Sequence, residues 1–147
     1  MLTIAGSGPS AKDYPFVTVA TKKRSVPSDY VFCRFGFQHQ GDEPLMLYYK
    51  RLSDSKKAWF CNAQKWDDYY KQFVRSKSPP QRVKPSLGAC AVMGVVERWN
   101  PSDIGLIGFD NILDGNPEWP HDAIAERRCI ESLVNIIDLR SQTDLTR

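Results

Sequence analysis

Short apolar segments alternate with longer stretches of helical spacing along most of the chain. The short segments are rich in Val, Ile, Phe and Thr, and they predict strands at residues 2–5, 16–21, 30–37, 45–51, 58–61 and 104–109. Helical spacing predicts helices at residues 63–76 and 87–99, and a last helix with a stripe at Cys129, Ile130, Leu133, Ile136 and Ile137. Residues 138–147 are expected to form a frayed tail. This alternation predicts a single α/β domain over residues 1–147, with a mostly parallel, Rossmann-like sheet and helices on both faces.

Composition narrows the class of protein without identifying a function. The chain has 147 residues, of which 41% are hydrophobic and 25% charged, as in ordinary soluble globular domains. No apolar run reaches the length of a membrane helix and no signal peptide is apparent, so we expect a cytoplasmic protein without membrane contact. Four Cys lie far apart in apolar runs, which indicates free thiols rather than a zinc site or disulfides. The net charge of +3 (20 basic minus 17 acidic) is mild. The basic clusters Lys22-Lys23-Arg24 and Lys56-Lys57 are small and typical of solvated loops, so nucleic acid is not expected as a partner.

A glycine-rich loop follows the first predicted strand and reads Gly6-Ser7-Gly8-Pro9-Ser10. Its glycines permit backbone amides to come close to a nucleotide, and its two serines add hydroxyl groups. With Ala11 the loop also fits the dinucleotide-binding fingerprint. That interpretation is weakened because Pro15 and the second strand follow at once, which leaves no room for the helix such a loop opens. A tight turn at a strand end remains the structural alternative.

A second loop, Pro85-Ser86-Leu87-Gly88, opens a helix that is apolar nearly all round. Ser86 is suited either to cap this helix or to donate to a phosphate, and Gly88 permits close approach of a ligand. Asp110 follows the strand at residues 104–109, at the edge where open α/β sheets bind ligands. A simple turn residue is the alternative for Asp110.

His121 and Glu126 form a His-x4-Glu pair just after Pro120, which favours a helix start. A neutral imidazole near a helix N-terminus is suited to take a proton from a hydroxyl group. Five residues along a helix do not put Glu126 directly beside His121, so we expect the carboxylate to orient a loop or a backbone group. A surface His and a solvated Glu are the alternative. His39 is interpreted as a loop residue.

Taken in order, these motifs resemble the Gly-rich large motif, the Pro-Ser/Thr-x-Gly small motif and the late His-x4-Glu motif of animal-type sialyltransferases. The resemblance implies an inverting, metal-independent glycosyltransferase without a cofactor. It would move sialic acid or a related keto-sugar from a CMP-sugar to an acceptor hydroxyl. The nucleotide would lie across residues 6–10 and 86–88, with Asp110 beside it and His121 as general base. The absence of any Asp-x-Asp pair agrees with a reaction that needs no metal ion.

The resemblance also has departures from the family's pattern. Arg34 matches the Arg of the family's Arg-x-Asn strand and is assigned to the nucleotide site, but Gly36 stands where Asn is expected. A short His/Tyr-rich motif of the family is not visible, and the chain is shorter than the family's catalytic domains. These departures leave open a non-catalytic domain that senses or binds a cytidine nucleotide. A dinucleotide-dependent oxidoreductase is a third reading. The acceptor, glycan or small molecule, stays unassigned, and a homo-oligomer is compatible with the sequence.

Overall fold

The computed structural model describes residues 1–21, 26–35, 58–62 and 85–140. In these residues six strands form: β1 (Leu2–Ala5), β2 (Val17–Thr21), β3 (Ser28–Phe35), β4 (Ala58–Asn62), β5 (Asp103–Ile107) and β6 (Asn135–Asp138). The helices are α1 (Leu87–Trp99), α2 (Asp110–Asp114) and α3 (Ala123–Leu133), and a 3₁₀ turn spans Pro9–Ala11. The strand predicted at residues 45–51 and the helix predicted at 63–76 lie outside the described residues.

The six strands form one sheet in the order β4-β3-β2-β1-β5-β6, and every neighbouring pair is parallel. This confirms the predicted α/β, Rossmann-like class. The chain builds the sheet outward from β1 to β4 and then returns to the other side of β1 with β5. The strand order therefore reverses between β1 and β5, and such a switch point is where open α/β sheets bind ligands. Ala5 pairs with Ile107, so the loops after both strands start side by side.

Helices α1 and α3 pack on one face of the sheet. Seven consecutive residues of α1, from 89 to 95, are buried, as its nearly all-apolar sequence predicts. They meet the larger side chains of that face, which are Ile4, Val19, Phe32, Ile104 and Leu106. Ala125, Cys129 and Ile130 of α3 complete this core. The larger of the two clusters of buried side chains in the described residues therefore lies on this face.

The opposite face of the sheet carries a second cluster of buried side chains with fewer members. Ala5 and Ala20 pack there with Ala11 of the 3₁₀ turn and with Leu139 from the segment after β6. Gly105 makes room for Leu139, because a Cβ at position 105 would lie 2.9 Å from its Cδ1 atom. Leu139 is only 2% exposed, so the prediction that the chain frays from residue 138 is wrong for residues 138–140.

The end of the last helix also differs from its prediction. Helix α3 ends at Leu133, and Val134 is extended (φ −158°, ψ 151°). Ile136 and Ile137 then pair with Ile104 and Gly105 as part of β6. The apolar spacing fits a helix up to Leu133. The β-branched residues that follow take strand geometry because β5 offers them an unpaired edge. Helix α2 was not predicted; it ends at Asp114, and Gly115 caps it in the left-handed conformation (φ 66°, ψ 40°).

The remaining described strands agree with the sequence within about two residues at each end, the usual uncertainty of such boundaries. In the described parts of the chain, no helix has both the length and the apolar character needed to span a membrane.

Candidate functional site

The glycine loop after β1 packs tightly against the turn after β5. The amide of Gly6 donates to the Ile107 carbonyl at 2.8 Å, and the amide of Gly8 donates to the Gly108 carbonyl at 2.7 Å. A Cβ at Gly6 would lie 2.5 Å from the Gly108 oxygen, and one at Gly8 would overlap Asp110 Oδ2. The glycines are therefore required for this close approach between loops. Whether they also admit a nucleotide stays a prediction.

Asp110 joins the same two loops through its carboxylate. Oδ2 accepts from the Ser10 amide at 3.1 Å and from the Ser10 hydroxyl at 2.8 Å. The hydroxyl oxygen in turn accepts from the Gly108 amide at 2.9 Å. Ser10 and Asp110, both assigned to the nucleotide site from the sequence, thus bind each other across the switch point. Ser7 and Pro9 of the same loop are exposed.

Arg140 holds the other side of Asp110 and was missed by the sequence analysis. Its Nη1 atom lies 3.2 Å from Asp110 Oδ1 and 2.9 Å from Asp114 Oδ2, and its Nη2 atom lies 2.9 Å from Asp138 Oδ2. The hydrogen bond from Arg140 lowers the pKa of Asp138, and the carboxylates raise the pKa of Arg140. The sequence gives no signal for this residue, because its three acidic partners come together only in the fold.

Ser86 caps α1 and binds Glu126, which lies 40 residues later in the chain. The Ser86 hydroxyl oxygen accepts from the Ala89 amide at 3.2 Å. Its proton is donated to Glu126 Oε1 at 2.6 Å, and the Ser86 amide donates to Glu126 Oε2 at 3.0 Å. Ser86 is 8% exposed and Glu126 is fully buried. The carboxylate thus contacts the Ser86 backbone, the kind of contact the sequence predicts for it.

His121 lies at the mouth of this buried cluster. Its Nδ1 atom is 3.8 Å from Glu126 Oε2, and its side chain is 30% exposed. The imidazole packs on the Trp119 ring, with 4.8 Å between ring centroids. Helix α3 begins at Ala123 with Asp122 as its N-cap. His121 therefore precedes the helix, and the extended backbone of Asp122 (φ −83°, ψ 95°) takes it off the helical path, so that Glu126 reaches the imidazole. The expectation that the spacing keeps them apart holds only within a continuous helix.

Glu126 also influences a thiol one turn further along α3. Burial, and secondarily the negative charge of Glu126, raise the pKa of Cys129 to about 12. Cys129 and Cys90 are both buried thiols, as the sequence predicts for core cysteines. A thiol with so high a pKa is a poor nucleophile, so this cysteine contributes packing rather than chemistry.

The predicted site residues fall into two groups at the carboxyl edge of the sheet. One contains the glycine loop and Asp110, and the other contains Ser86, Glu126 and His121. Gly88 faces inward, because a Cβ there would lie 2.9 Å from the Phe109 ring. Arg34 lies near the carboxyl end of β3, and its side chain is outside the described residues.

Each loop that the sequence assigns to a phosphate already holds a carboxylate of this chain. Asp110 accepts from the loop that enters the 3₁₀ turn, and Glu126 accepts from the residue that caps α1. Such positions attract anions. Within residues 1–21, 26–35, 58–62 and 85–140, no group of three or more His, Cys, Asp or Glu has the arrangement to hold a metal ion. Comparison of the chain with protein-family models, curated proteins and solved structures gives no significant match.

Proposed function

We propose that this chain is a glycosyltransferase of sialyltransferase type. It moves sialic acid or a related keto-sugar from a CMP-sugar to an acceptor hydroxyl, with inversion and without a metal ion. His121 acts as the general base and Glu126 holds it in position. The nucleotide lies at the switch point between β1 and β5, beside the glycine loop and the turn at Ser86.

The observation that carries this proposal is the contact of two distant motifs at Glu126. A fully buried carboxylate is costly unless it is well bonded, and Glu126 is bonded to the amide and hydroxyl of Ser86. The same carboxylate has its Oε2 atom 3.8 Å from the His121 imidazole. The Pro-Ser-x-Gly turn and the His-x4-Glu segment thus form one cluster, an arrangement that neither motif alone predicts.

The geometry suits general base catalysis. Nδ1 lies towards Glu126, and in the proposed mechanism Nε2 accepts the proton of the acceptor hydroxyl. The acceptor oxygen forms a bond to the anomeric carbon while the bond from that carbon to the CMP phosphate breaks. The proton passes to His121, and the Glu126 carboxylate stabilises the imidazolium that forms. CMP leaves as the monophosphate. The separation of 3.8 Å exceeds a hydrogen bond, and such contacts often tighten when substrate binds.

The test combines nucleotide binding with turnover. Calorimetry with CMP, CTP, UDP, NAD and FAD should show selective binding of the cytidine nucleotides. With CMP-sialic acid as donor and water as acceptor, the native chain should release CMP. The His121→Ala variant should keep its CMP affinity, because the base acts on the acceptor. Its rate should fall by about a hundredfold or more, the usual share of general base catalysis.

His39→Ala is the matched control, because His39 is the only other histidine of the sequence and carries no role in the proposal. It should hydrolyse the donor at the native rate. Equal rates for the native chain and His121→Ala would remove His121 as the base. Tight CMP binding with neither donor hydrolysis nor transfer to any member of a broad acceptor set would favour the non-catalytic nucleotide-binding domain. Binding of NAD or FAD alone would refute both.

A further inference from the structure

Phe109 occupies the space between the two loops of the candidate site. It follows Gly108 at the carboxyl end of β5, and its backbone (φ −103°, ψ 34°) leads directly into α2. Its side chain is 3% exposed and belongs to the core cluster that also contains Ala89 and Ile112. The ring is therefore fixed by core packing at the point where the strand order of the sheet reverses.

Opposite corners of the Phe109 ring face the two glycines. A Cβ at Gly6 would lie 3.1 Å from Cδ1, and a Cβ at Gly88 would lie 2.9 Å from Cε2. Cδ1 and Cε2 are para to each other, so the glycines approach the ring from opposite sides. At Gly88 a methyl group has space only if the ring moves, whereas at Gly6 the nearer obstacle is the Gly108 carbonyl oxygen, at 2.5 Å. Glycine in the first turn of α1 is otherwise unfavourable, because Ala is the better helix former.

Each glycine belongs to a rigidly bonded loop. Gly6 is tied to β5 through the Ile107 carbonyl, and Gly88 lies two residues after Ser86, which binds Glu126. Because protein interiors are close-packed, a shift of the ring is passed on to the loops on either side. The ring therefore lies between Gly6 of one loop and Gly88 of the other.

We infer that Phe109 is a positioning residue that sets the gap between the glycine loop and the Ser86 turn, and with it the fit of the nucleotide. The inference rests on the proposed function, which puts the nucleotide across these two loops. Phe109 acts through them and needs no contact with the ligand.

The test is the Gly88→Ala variant with and without Phe109→Leu. The added methyl group pushes the ring towards Gly6 and changes the gap. We expect Gly88→Ala to weaken CMP binding about tenfold, because a change of that size in the dissociation constant corresponds in free energy to a modest cost of overpacking a core. Phe109→Leu removes the ring and should return the affinity of the double variant to within about threefold of the native value by the same conversion. Phe109→Leu alone should weaken CMP binding, because the loops lose their spacer.

Gly94→Ala is the matched control. It lies in the same helix, and its Cβ would meet another Phe ring with the same overlap, 2.9 Å from Cε2 and 3.3 Å from Cζ of Phe32. It should lower the melting temperature as Gly88→Ala does, yet leave CMP affinity unchanged. Phe109→Leu should not rescue it.

Native CMP affinity in folded Gly88→Ala, or a loss that Phe109→Leu does not reverse, would overturn the inference. If the native chain binds no CMP, the proposed function fails and melting temperatures decide about Phe109. If adding Phe109→Leu restores the melting temperature of Gly88→Ala but not that of Gly94→Ala, Phe109 acts as the spacer. If adding Phe109→Leu changes the melting temperatures of both variants equally, the inference is overturned. If Gly88→Ala does not fold, the single Phe109→Leu variant decides. An unchanged CMP affinity of this variant overturns the inference. Where the native chain binds no CMP, an unchanged melting temperature of this variant overturns it.

Discussion

Glu126→Gln tests the buried contact on which the functional proposal depends. The native carboxylate accepts two hydrogen bonds from Ser86, at 3.0 Å from the amide and 2.6 Å from the hydroxyl. A Gln side chain has nearly the same shape but only one acceptor oxygen. It keeps one of the two bonds and directs an amide NH₂ group at the other Ser86 donor. The hydroxyl oxygen of Ser86 already accepts from the Ala89 amide, so its own proton loses its partner.

The expected cost follows from these bonds. Hydrogen bonds to a charged group contribute about 1.5–3 kcal/mol each, and one of them is lost. Removing the charge offsets part of this, because a buried carboxylate carries a desolvation penalty of several kcal/mol that burial of the neutral amide reduces. We therefore expect Glu126→Gln to lower the free energy of unfolding by about 1–2 kcal/mol. Glu126→Ala, which also leaves the Ser86 amide unpaired, should cost about 3–5 kcal/mol.

Urea unfolding of the single and double variants measures these values. A double-mutant cycle between Ser86→Ala and Glu126→Gln should give a coupling energy of about 1–2 kcal/mol, as for residues that share a hydrogen bond. Glu131→Gln is the control on the same helix. Its carboxylate is half exposed and forms only an i,i+4 pair with Arg127, which contributes about 0.5 kcal/mol or less.

Two outcomes would refute this reasoning. The first is a Glu126→Gln variant as stable as Glu131→Gln, and the second is a coupling energy near zero with Ser86→Ala. Either result would mean that the two motifs do not meet at Glu126. Donor hydrolysis by Glu126→Gln gives an independent readout: its rate should fall while CMP affinity stays, if the carboxylate stabilises the imidazolium of His121.

Three further predictions follow from single contacts. Cys129 should resist iodoacetamide in the native protein at pH 8, as read by mass spectrometry, since burial and Glu126 raise its pKa to about 12; rapid alkylation would contradict this. Gly108→Ala should cost at least about 2 kcal/mol more than Gly115→Ala in urea unfolding. Both glycines have positive φ, but of the two only Gly108 has backbone in the way of a Cβ, which would lie 2.6 Å from the Gly6 oxygen. Equal losses of unfolding free energy in the two variants would contradict this prediction. Arg140→Gln should destabilise the protein at neutral pH and little near pH 2. The hydrogen bond from Arg140 lowers the pKa of Asp138 in the folded state. The stability that the Arg140–Asp138 pair contributes is therefore present above the pKa of Asp138 in the unfolded chain, and it is lost as the pH falls through the pKa in the folded protein. A destabilisation by Arg140→Gln that does not depend on pH would contradict this prediction.

Local pattern was sufficient to predict the elements whose side chains repeat with a clear period. Helix α1 was predicted with its bounds because its apolar character is continuous and Ser86 is a strong N-cap. Strand β1 was predicted because an apolar run ends at a glycine. Strand β6 was missed because Ile136 and Ile137 continue the helical spacing of α3, and only the free edge of β5 distinguishes the two geometries. Such a choice depends on a partner 30 or so residues away, which no local window contains.

The candidate site was predicted by residue type but not by contact. Ser10, Asp110, Ser86 and Glu126 were each singled out, yet nothing in the sequence indicates that they pair with one another. Arg140 was missed for the same reason, because its partners at 110 and 114 come near it only through the sheet order. Sequence motifs give the chemistry available at a strand end, and the topology decides which groups share it.

The contacts of the site glycines and of the carboxylates Asp110 and Glu126 decide on which motif the functional proposal depends most. Gly6, Gly8 and Gly88 are each accounted for by packing against the turn after β5, whatever ligand the protein binds. Packing does not explain why Glu126, which is fully buried beside the partly exposed His121 imidazole, is a carboxylate. An apolar side chain of similar volume would fill the same space without the cost of desolvating a charge. A costly buried charge is retained where it has a task, and the proposed mechanism supplies one, because it makes His121 at the open side of Glu126 the general base. The His-x4-Glu segment, rather than the glycine-rich loop, is therefore the part of the chain on which the transferase proposal chiefly depends.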